Sequence, residues 1–233
     1  MADRPPLLAV LIDADNISAR YAEAMFDEIA SFGEASIRRI YGDFAGGGPQ
    51  GWTKDKLASL AIVPHQQFAN TTGKNASDIA LVIDAMDLMH SGRFDGFVLV
   101  SSDSDFTRLS SRIREQGLDV FGIGARKTPE AFRKACKRFI YLENLGGETD
   151  EPLQELERKN LNEARDLLFR AMDSIDQDSD WYALGRLGQQ ITGAHPDFDT
   201  RSYGHKKLSD LVAAIKVLET RREGNQLLVR RVD

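Results

Sequence analysis

Acidic residues follow two apolar stretches of the sequence at the point where each stretch ends. In LLAVLIDADN, Asp13, Asp15 and Asn16 come directly after apolar residues. In FVLVSSDSDF, Asp103 and Asp105 stand in the same position. A single pair of this kind is weak evidence, because phosphatases, polymerases and surface loops all carry it. Two pairs, each at the end of a candidate strand, favour a functional site.

A third acid stands in NASDIALVIDAMDL, a helical pattern. We expect Ser77 to cap this helix, which places Asp78 in the first turn, where the helix dipole favours a carboxylate. An ordinary first-turn residue remains the alternative for Asp78. The apolar spacing predicts that the helix buries one stripe, formed by Ile79, Val82, Ile83 and Met86.

Carboxylates from three segments would repel one another and raise one another's pKa unless a cation neutralised them. Ligands that are all oxygen favour Mg²⁺ or Mn²⁺ over zinc. Such an ion can lower the pKa of a bound water and stabilise charge on a phosphodiester. The four histidines are scattered and there is one cysteine, so neither residue type offers a competing cluster.

The acids need a scaffold that delivers strand ends to one edge. Short apolar runs alternate with helical patterns, which indicates a parallel sheet covered on both faces, with ligands bound at the carboxyl ends of its strands. The predicted strands span 7–12, 36–41, 61–68, 97–102, 118–123 and 139–144. The predicted helices lie near 18–31, 78–90, 105–116 and 129–137.

A change of composition predicts two domains, 5–145 and 159–233, joined by a linker over 146–158 that is rich in glycine and acidic residues. The second domain has the pattern of a winged helix, three helices followed by a hairpin. The helices are expected over 161–175, 181–191 and 204–215, and the hairpin over 216–232, turning at Glu223-Gly224-Asn225.

Composition limits the remaining options. The chain has 233 residues, a net charge of −6 and no apolar run of the ~20 residues that a membrane helix needs. No signal-peptide pattern is present at the N-terminus, so we expect a cytoplasmic protein that does not enter a membrane. The single cysteine excludes an intramolecular disulfide.

Three motifs together resemble the NYN domain, the LabA-like branch of the PIN-like nuclease superfamily. They are LIDADN, GKNASDIALVIDAMDL and LVSSDSDFTRLSSRIREQGLDVFGIG, in an order and spacing that agree over roughly residues 7 to 143. The resemblance implies an α/β/α sandwich with a central parallel sheet and a metal-dependent ribonuclease site. It implies that Asp13, Asp78, Asp103 and Asp105 are the catalytic and metal-binding acids. Supporting roles are implied for Asn16, Ser101, Ser102, Asp15 and Asp84, of which Asp84 lies about 240° round the helix from Asp78.

The segment WYALGRLGQQITGAHPDFDTRSYGHKKLSDLVAAI resembles the OST-HTH, or LOTUS, domain, a winged helix that often accompanies NYN domains. Its relatives include RNA-binding and protein-binding modules, and the motif does not choose between them. Basic residues near the third helix and hairpin favour RNA.

The expected function is that of a ribonuclease, most simply an endonuclease, that uses Mg²⁺ or Mn²⁺. The alternatives are a non-catalytic RNA-binding or regulatory adaptor and, less favoured, a phosphatase acting on a small phosphomonoester. Basic residues are expected to hold the RNA backbone, although each could equally be an ordinary surface charge. They are Lys74, Arg108, Arg112, Arg126, Lys127, Arg133, Lys134, Lys137, Arg138, Lys206 and Lys207. The sequence leaves the RNA substrate and the oligomeric state open.

Overall fold

A computed structural model of the chain describes residues 4–45, 48–68, 76–146, 161–176 and 179–232. The chain divides into two compact units, residues 1–149 and 150–233. Lys74 and nearly all of the predicted linker lie outside the described residues.

The first unit is built on a six-stranded sheet in the order β3-β2-β1-β4-β5-β6, in which every neighbouring pair is parallel. The predicted parallel sheet is therefore confirmed. The strands are β1 Leu7–Asp13, β2 Glu34–Gly42, β3 Val63–Gln66, β4 Gly96–Val100, β5 Asp119–Gly124 and β6 Arg138–Tyr141. The third and sixth are shorter than predicted, and residues Leu142–Asn144 form a 3₁₀ helix instead.

Helices connect these strands. They are α1 Ala22–Ile29, α2 Lys54–Ser59, α3 Ala76–His90, α4 Phe106–Glu115 and α5 Glu130–Ala135, with 3₁₀ helices at Ala19–Tyr21 and Pro49–Gly51. The four predicted helices are present. The sequence analysis missed α2, which Thr53 caps by accepting a hydrogen bond from the backbone N–H of Lys56.

Two apolar layers cover the sheet, one on each face. On one face Val10 and Ile12 pack with Met25 of α1 and with Trp52. On the other, Leu11 packs in a cluster with residues of three helices, namely Leu81 of α3, Leu109 of α4 and Phe132 of α5. Because β1 is buried on both faces, its polar residues can only come at its end. The result is an α/β/α sandwich.

The predicted buried stripe of α3 is only half right, since Val82 and Met86 pack partly buried against the core but the other two positions do not. Ile79 and Ile83 are 60% and 58% exposed, whereas the buried positions are Leu81, Ala85 and Met89. The helix is apolar on both sides, so its periodicity does not define one face.

Cys136 lies between α5 and β6 in the second of these layers, fully buried. Its Sγ donates to the carbonyl of Phe132 at 3.3 Å. A Cβ at Gly122 would come within 2.8 Å of this sulfur, so the glycine is needed for the close approach. Burial raises the pKa of the Cys136 thiol to about 12.

In the part of the second unit that the structure describes, three α-helices and a 3₁₀ helix at Thr200–Tyr203 accompany an antiparallel sheet in the order β7-β9-β8. Its helices are α6 Leu161–Asp173, α7 Leu184–Ala194 and α8 Leu208–Ala213, and its strands are β7 Tyr182–Ala183, β8 Leu218–Glu223 and β9 Gln226–Arg231. The hairpin turns through Gly224, whose φ of 57° is in the left-handed region that glycine adopts readily. The three predicted helices and the hairpin are present. The start of the second helix was predicted wrongly, because Tyr182 and Ala183 form β7 and the helix begins at Leu184.

Among the residues that the structure describes, no helix is both long enough and apolar enough to cross a membrane.

Candidate metal centre

Asp13 ends β1 and is a buried carboxylate, only 1% exposed. Its Oδ2 accepts hydrogen bonds from Ser101 Oγ and Asn16 Nδ2, both at 2.7 Å. Its Oδ1 accepts from the backbone N–H groups of Asp15 at 3.1 Å and Asn16 at 3.3 Å. Burial raises the pKa of Asp13, and the bonds from Ser101 and Asn16 offset part of that rise. The carboxylate is therefore held in one orientation by the turn that follows it and by the neighbouring strand.

Ser101 connects this carboxylate to the second acidic segment, which follows β4. The Ser101 hydroxyl donates to Asp13 and accepts from the backbone N–H of Asp103 at 3.1 Å. Oδ1 of Asp103 accepts from the backbone N–H of Asp105 at 2.9 Å, which shapes the turn before α4. Ser102 serves the scaffold, because its hydroxyl accepts from the backbone N–H of Ala125 at 2.9 Å. Since β1 and β4 are adjacent and parallel, their acids meet at one edge.

Asp78 lies in the first turn of α3, as predicted. Its pKa is raised to about 6, first by burial and then by repulsion from Asp13, Asp103, Asp15 and Asp105. Two acidic segments, one after β1 and one after β4, therefore act on the carboxyl group that the third segment carries. The concentration of negative charge at this edge is the main electrostatic feature of the candidate site.

Asp15 is held by contacts that the sequence analysis did not foresee. Its Oδ2 accepts from Ser77 Oγ at 3.0 Å, so Ser77, the second residue of α3, joins the helix to the acidic turn. The prediction that Ser77 caps the helix is wrong. The carbonyl of Asp15 accepts from Gln50 Nε2 at 3.4 Å, and Trp52 Nε1 donates to the carbonyl of Ile17 at 2.7 Å. Gln50 and Trp52 therefore contact the backbone that follows Asp13.

The donor atoms of these acids suit a hard divalent cation, because every one is a carboxylate oxygen. Among the described residues, however, no three His, Cys, Asp or Glu side chains stand at metal-ligating spacing. The acids therefore fit Mg²⁺ or Mn²⁺ by donor type and by charge, and not as a preformed ligand cage.

Asp84 is separate from this group of acids in its bonding. It accepts hydrogen bonds from the Arg39 guanidinium and the Tyr41 hydroxyl, both on β2. Burial, followed by the bond to Asp84, raises the pKa of Tyr41. These contacts fasten α3 to the sheet, so Asp84 supports the helix that carries Asp78.

The basic residues of 126–138 do not form one continuous helical surface, because α5 spans only Glu130–Ala135. Arg133 donates to Tyr141 Oη at 2.7 Å, and Arg138 lies 5.4 Å from the ring of Phe32. Arg126 donates to Asn144 Oδ1 at 3.1 Å. These arginines therefore have packing roles.

The remaining basic residues of the first unit are better placed to meet solvent. The exposed ones are Arg108, Lys127, Lys134 and Lys137, and Arg112 is half-buried. Lys134 pairs with Glu130 and Lys137 with Asp119, at 2.7 and 2.6 Å. In the second unit Lys206 and Lys207 are exposed just before α8.

Comparison with known proteins identifies both units. The family model of the NYN domain matches residues 7–143, and that of the OST-HTH/LOTUS domain matches residues 155–229. The chain belongs to the NYN domain family, within the PIN-like nuclease superfamily, and carries an OST-HTH/LOTUS domain after it.

Solved structures give a weaker likeness. A protein of unknown function from Vibrio parahaemolyticus is 20% identical, with a TM-score of 0.50, over 60% of this chain and 94% of that one. An uncharacterized protein from Nitrosomonas europaea is 27% identical, with a TM-score of 0.29, over 37% of this chain and 89% of that one. At 20% identity the first likeness shows a shared fold. No curated protein matches the chain.

Proposed function

We propose that this protein is a ribonuclease that depends on Mg²⁺ or Mn²⁺ and hydrolyses internal phosphodiester bonds of RNA. The observation that carries the proposal is the gathering of five carboxylates at one sheet edge. The pKa of Asp78 is raised to about 6 there by burial and by repulsion from the four other acids. Membership of the NYN family supports the reaction class.

Asp13, Asp78, Asp103 and Asp105 would hold the cation. Bound there, the metal would acidify water and offset the negative charge that develops on a phosphodiester. The Ser101 hydroxyl and the Asn16 amide orient the Asp13 carboxylate by hydrogen bonds of 2.7 Å. Asp15 is oriented by Ser77. A bound cation would also offset the repulsion that, together with burial, raises the pKa of Asp78.

RNA is proposed as the substrate because two features suit a phosphate polymer. The OST-HTH/LOTUS domain is a module associated with RNA in its relatives. Exposed basic side chains also lie on α4, just after Asp105, where Arg108 would meet a phosphate backbone. A small phosphomonoester needs neither feature.

A cleavage assay tests the proposal. Labelled single-stranded and structured RNAs are incubated with the full chain, with EDTA or with Mn²⁺, and the products are resolved by size. We expect internal cuts that require Mn²⁺ and disappear in Asp103→Asn. Asp87→Asn is the matched control, since Asp87 is an exposed acid further along α3.

The alternatives give different results in the same assay. An adaptor binds RNA and leaves it intact under every metal condition. A phosphatase releases phosphate from a monoester and leaves internal bonds uncut. Cleavage by Asp103→Asn at the wild-type rate would remove this residue from the proposed site.

A further inference from the structure

The antiparallel sheet of the second unit has an outer face that carries an aromatic ring beside two arginines. Trp181 directly precedes β7, and the register Tyr182↔Val229 places it opposite Arg230. The guanidinium carbon of Arg230 lies 4.7 Å from the centroid of the Trp181 ring, and that of Arg221 lies 4.4 Å from it. We call Trp181, Arg221 and Arg230 the wing platform.

Strand alternation shows that the wing platform faces away from the core. Val229 is buried, and Tyr182 packs against the same apolar cluster. Residues next to them along each strand must point to the opposite side of the sheet. The side chains of Arg221 and Arg230 are accordingly 51% and 42% exposed. Arg231 points inward, where it lies 4.2 Å from the ring of Phe169 on α6.

Both arginines of the wing platform are held in place. Arg221 pairs with Glu223 at 2.9 Å, and Arg230 pairs with Glu219 at 2.6 Å. Each guanidinium group therefore contacts both a carboxylate and the indole ring, which limits the positions it can adopt before a ligand arrives.

The charge around the wing platform contrasts with that of the whole chain. Residues 216–232 contain five basic and two acidic side chains, whereas the chain has a net charge of −6. A locally positive ribbon with an aromatic ring suits a ligand that has both phosphates and flat apolar rings.

We propose that the wing platform binds single-stranded RNA by stacking a base against the layer of Trp181, Arg221 and Arg230, with the arginines also contacting the adjacent phosphates. Bases stack on both aromatic rings and guanidinium planes. An acidic peptide would use the charge but would gain nothing from the flat surface. The proposal rests on the proposed function for its choice of polymer, and it adds a base contact on the sheet to the backbone contact that the lysines before α8 can make.

Lys206 and Lys207 provide the contrast within the same unit. They are exposed charges just before α8. In the part of the chain that the structure describes, neither lysine lies over an aromatic ring. They would attract a phosphate backbone without distinguishing a strand with bases from one without them.

The experiment measures binding of the full chain in EDTA, so that no cleavage occurs. Fluorescence anisotropy compares a labelled twelve-residue oligouridine with an abasic strand of equal length and charge. The wild type is expected to prefer the strand with bases about tenfold, and Trp181→Ala should abolish that preference. Trp181→Phe should retain part of it, because phenylalanine keeps a ring.

Charge variants complete the test. Arg221→Gln/Arg230→Gln should weaken binding of oligouridine and reduce its preference over the abasic strand. Lys206→Gln/Lys207→Gln removes the same charge, and should weaken both strands alike. Thermal melting checks each fold. If Trp181→Ala unfolds the unit, the proposal is tested by the Arg221→Gln/Arg230→Gln variant alone.

The outcomes separate this proposal from the proposed function. If the abasic strand binds the wild type as tightly as oligouridine, or if an oligoglutamate peptide competes equally with RNA, the wing platform is not a stacking site. Metal-dependent cleavage could persist in that case. Base-dependent binding without any cleavage would support the wing platform and contradict the nuclease.

Discussion

The hydroxyl of Ser101 donates a hydrogen bond of 2.7 Å to Oδ2 of Asp13, joining the ends of two adjacent parallel strands. Both groups are buried, so neither can exchange this bond for one with water. The same hydroxyl accepts from the backbone N–H of Asp103. One side chain therefore sets the relation between the first acidic segment and the second.

Replacing this hydroxyl tests that relation. Ser101→Ala leaves a buried carboxylate short of one donor, and we expect it to lower the free energy of unfolding by about 1–2 kcal/mol. Urea denaturation measures the change. Metal-dependent cleavage should also fall, since Asp13 and Asp103 lose their common partner. Ser104→Ala, at an exposed position in the same turn, is the control. Equal stability of both variants would contradict the structural role of the bond.

The raised pKa of Asp78 predicts a pH dependence of stability in EDTA. The folded protein holds the proton more tightly than the unfolded chain, because the pKa rises from 3.8 to about 6 on folding. Stability is therefore lost as pH rises from about 4 to about 6, and the loss is constant above that window. Asp78→Asn has no carboxyl group to ionise at this position, so it avoids this loss of stability. At pH 7 it should be more stable than the wild type by about 1 kcal/mol, a value reduced for solvent screening of a half-exposed group.

Denaturation of both proteins at a series of pH values measures this difference, which should close below about pH 4. Asp87→Asn is the control and should not reproduce the pattern. Mn²⁺ should reverse the order by stabilising the wild type alone. A difference that is the same at every pH would refute the effect of the acidic cluster.

The exposed lysines near α5 predict a salt-dependent contribution to RNA binding. Lys127, Lys134 and Lys137 are exposed, whereas Arg133 and Arg138 contact aromatic rings and are left unchanged. The triple change to Gln should weaken binding for every sequence, and should lower the slope of log affinity against log salt by up to about 2. Lys54→Gln, on the opposite side of the sheet, should not alter the slope. A triple variant with wild-type affinity would exclude this surface.

The predicted linker can be tested by limited proteolysis. Residues 146–158 contain several glutamates and few apolar side chains, so a glutamate-specific protease is expected to cut there first. Two folded fragments should result, and the N-terminal one should keep its metal-dependent chemistry. Mass spectrometry locates the cuts. First cleavage within residues 76–100 would show that the proposed domain boundaries are wrong.

Much of the scaffold could be predicted because its signals are local. Few structures other than a buried strand fit an apolar run that ends in acidic residues, so the sequence predicted where β1 and β4 end. The buried face of α3 was not, because Ile79 and Ile83 are as apolar as Leu81 and Ala85. Only tertiary contacts choose between the two sides of such a helix.

Other features depend on pairs of residues far apart in the chain. In the sequence nothing distinguishes Asp84 from other acidic residues of a helix. Its role in joining α3 to the sheet follows from its hydrogen bonds with Arg39 and Tyr41, which lie on β2. Trp181 was read as a core or turn position of its motif, yet it lies on the outer face of a sheet. The strand beside it has only two residues, too few to show an alternating pattern.

The burial of Cys136 has a practical consequence. It is the only thiol in the chain, and it belongs to the core of the first unit. A thiol reagent can reach it only when that core opens, and its raised pKa keeps it in the unreactive protonated form at neutral pH. The rate at which such a reagent labels the native protein therefore reports opening of the first unit alone, without any engineered probe. Opening of the second unit, which has no cysteine, does not change that rate.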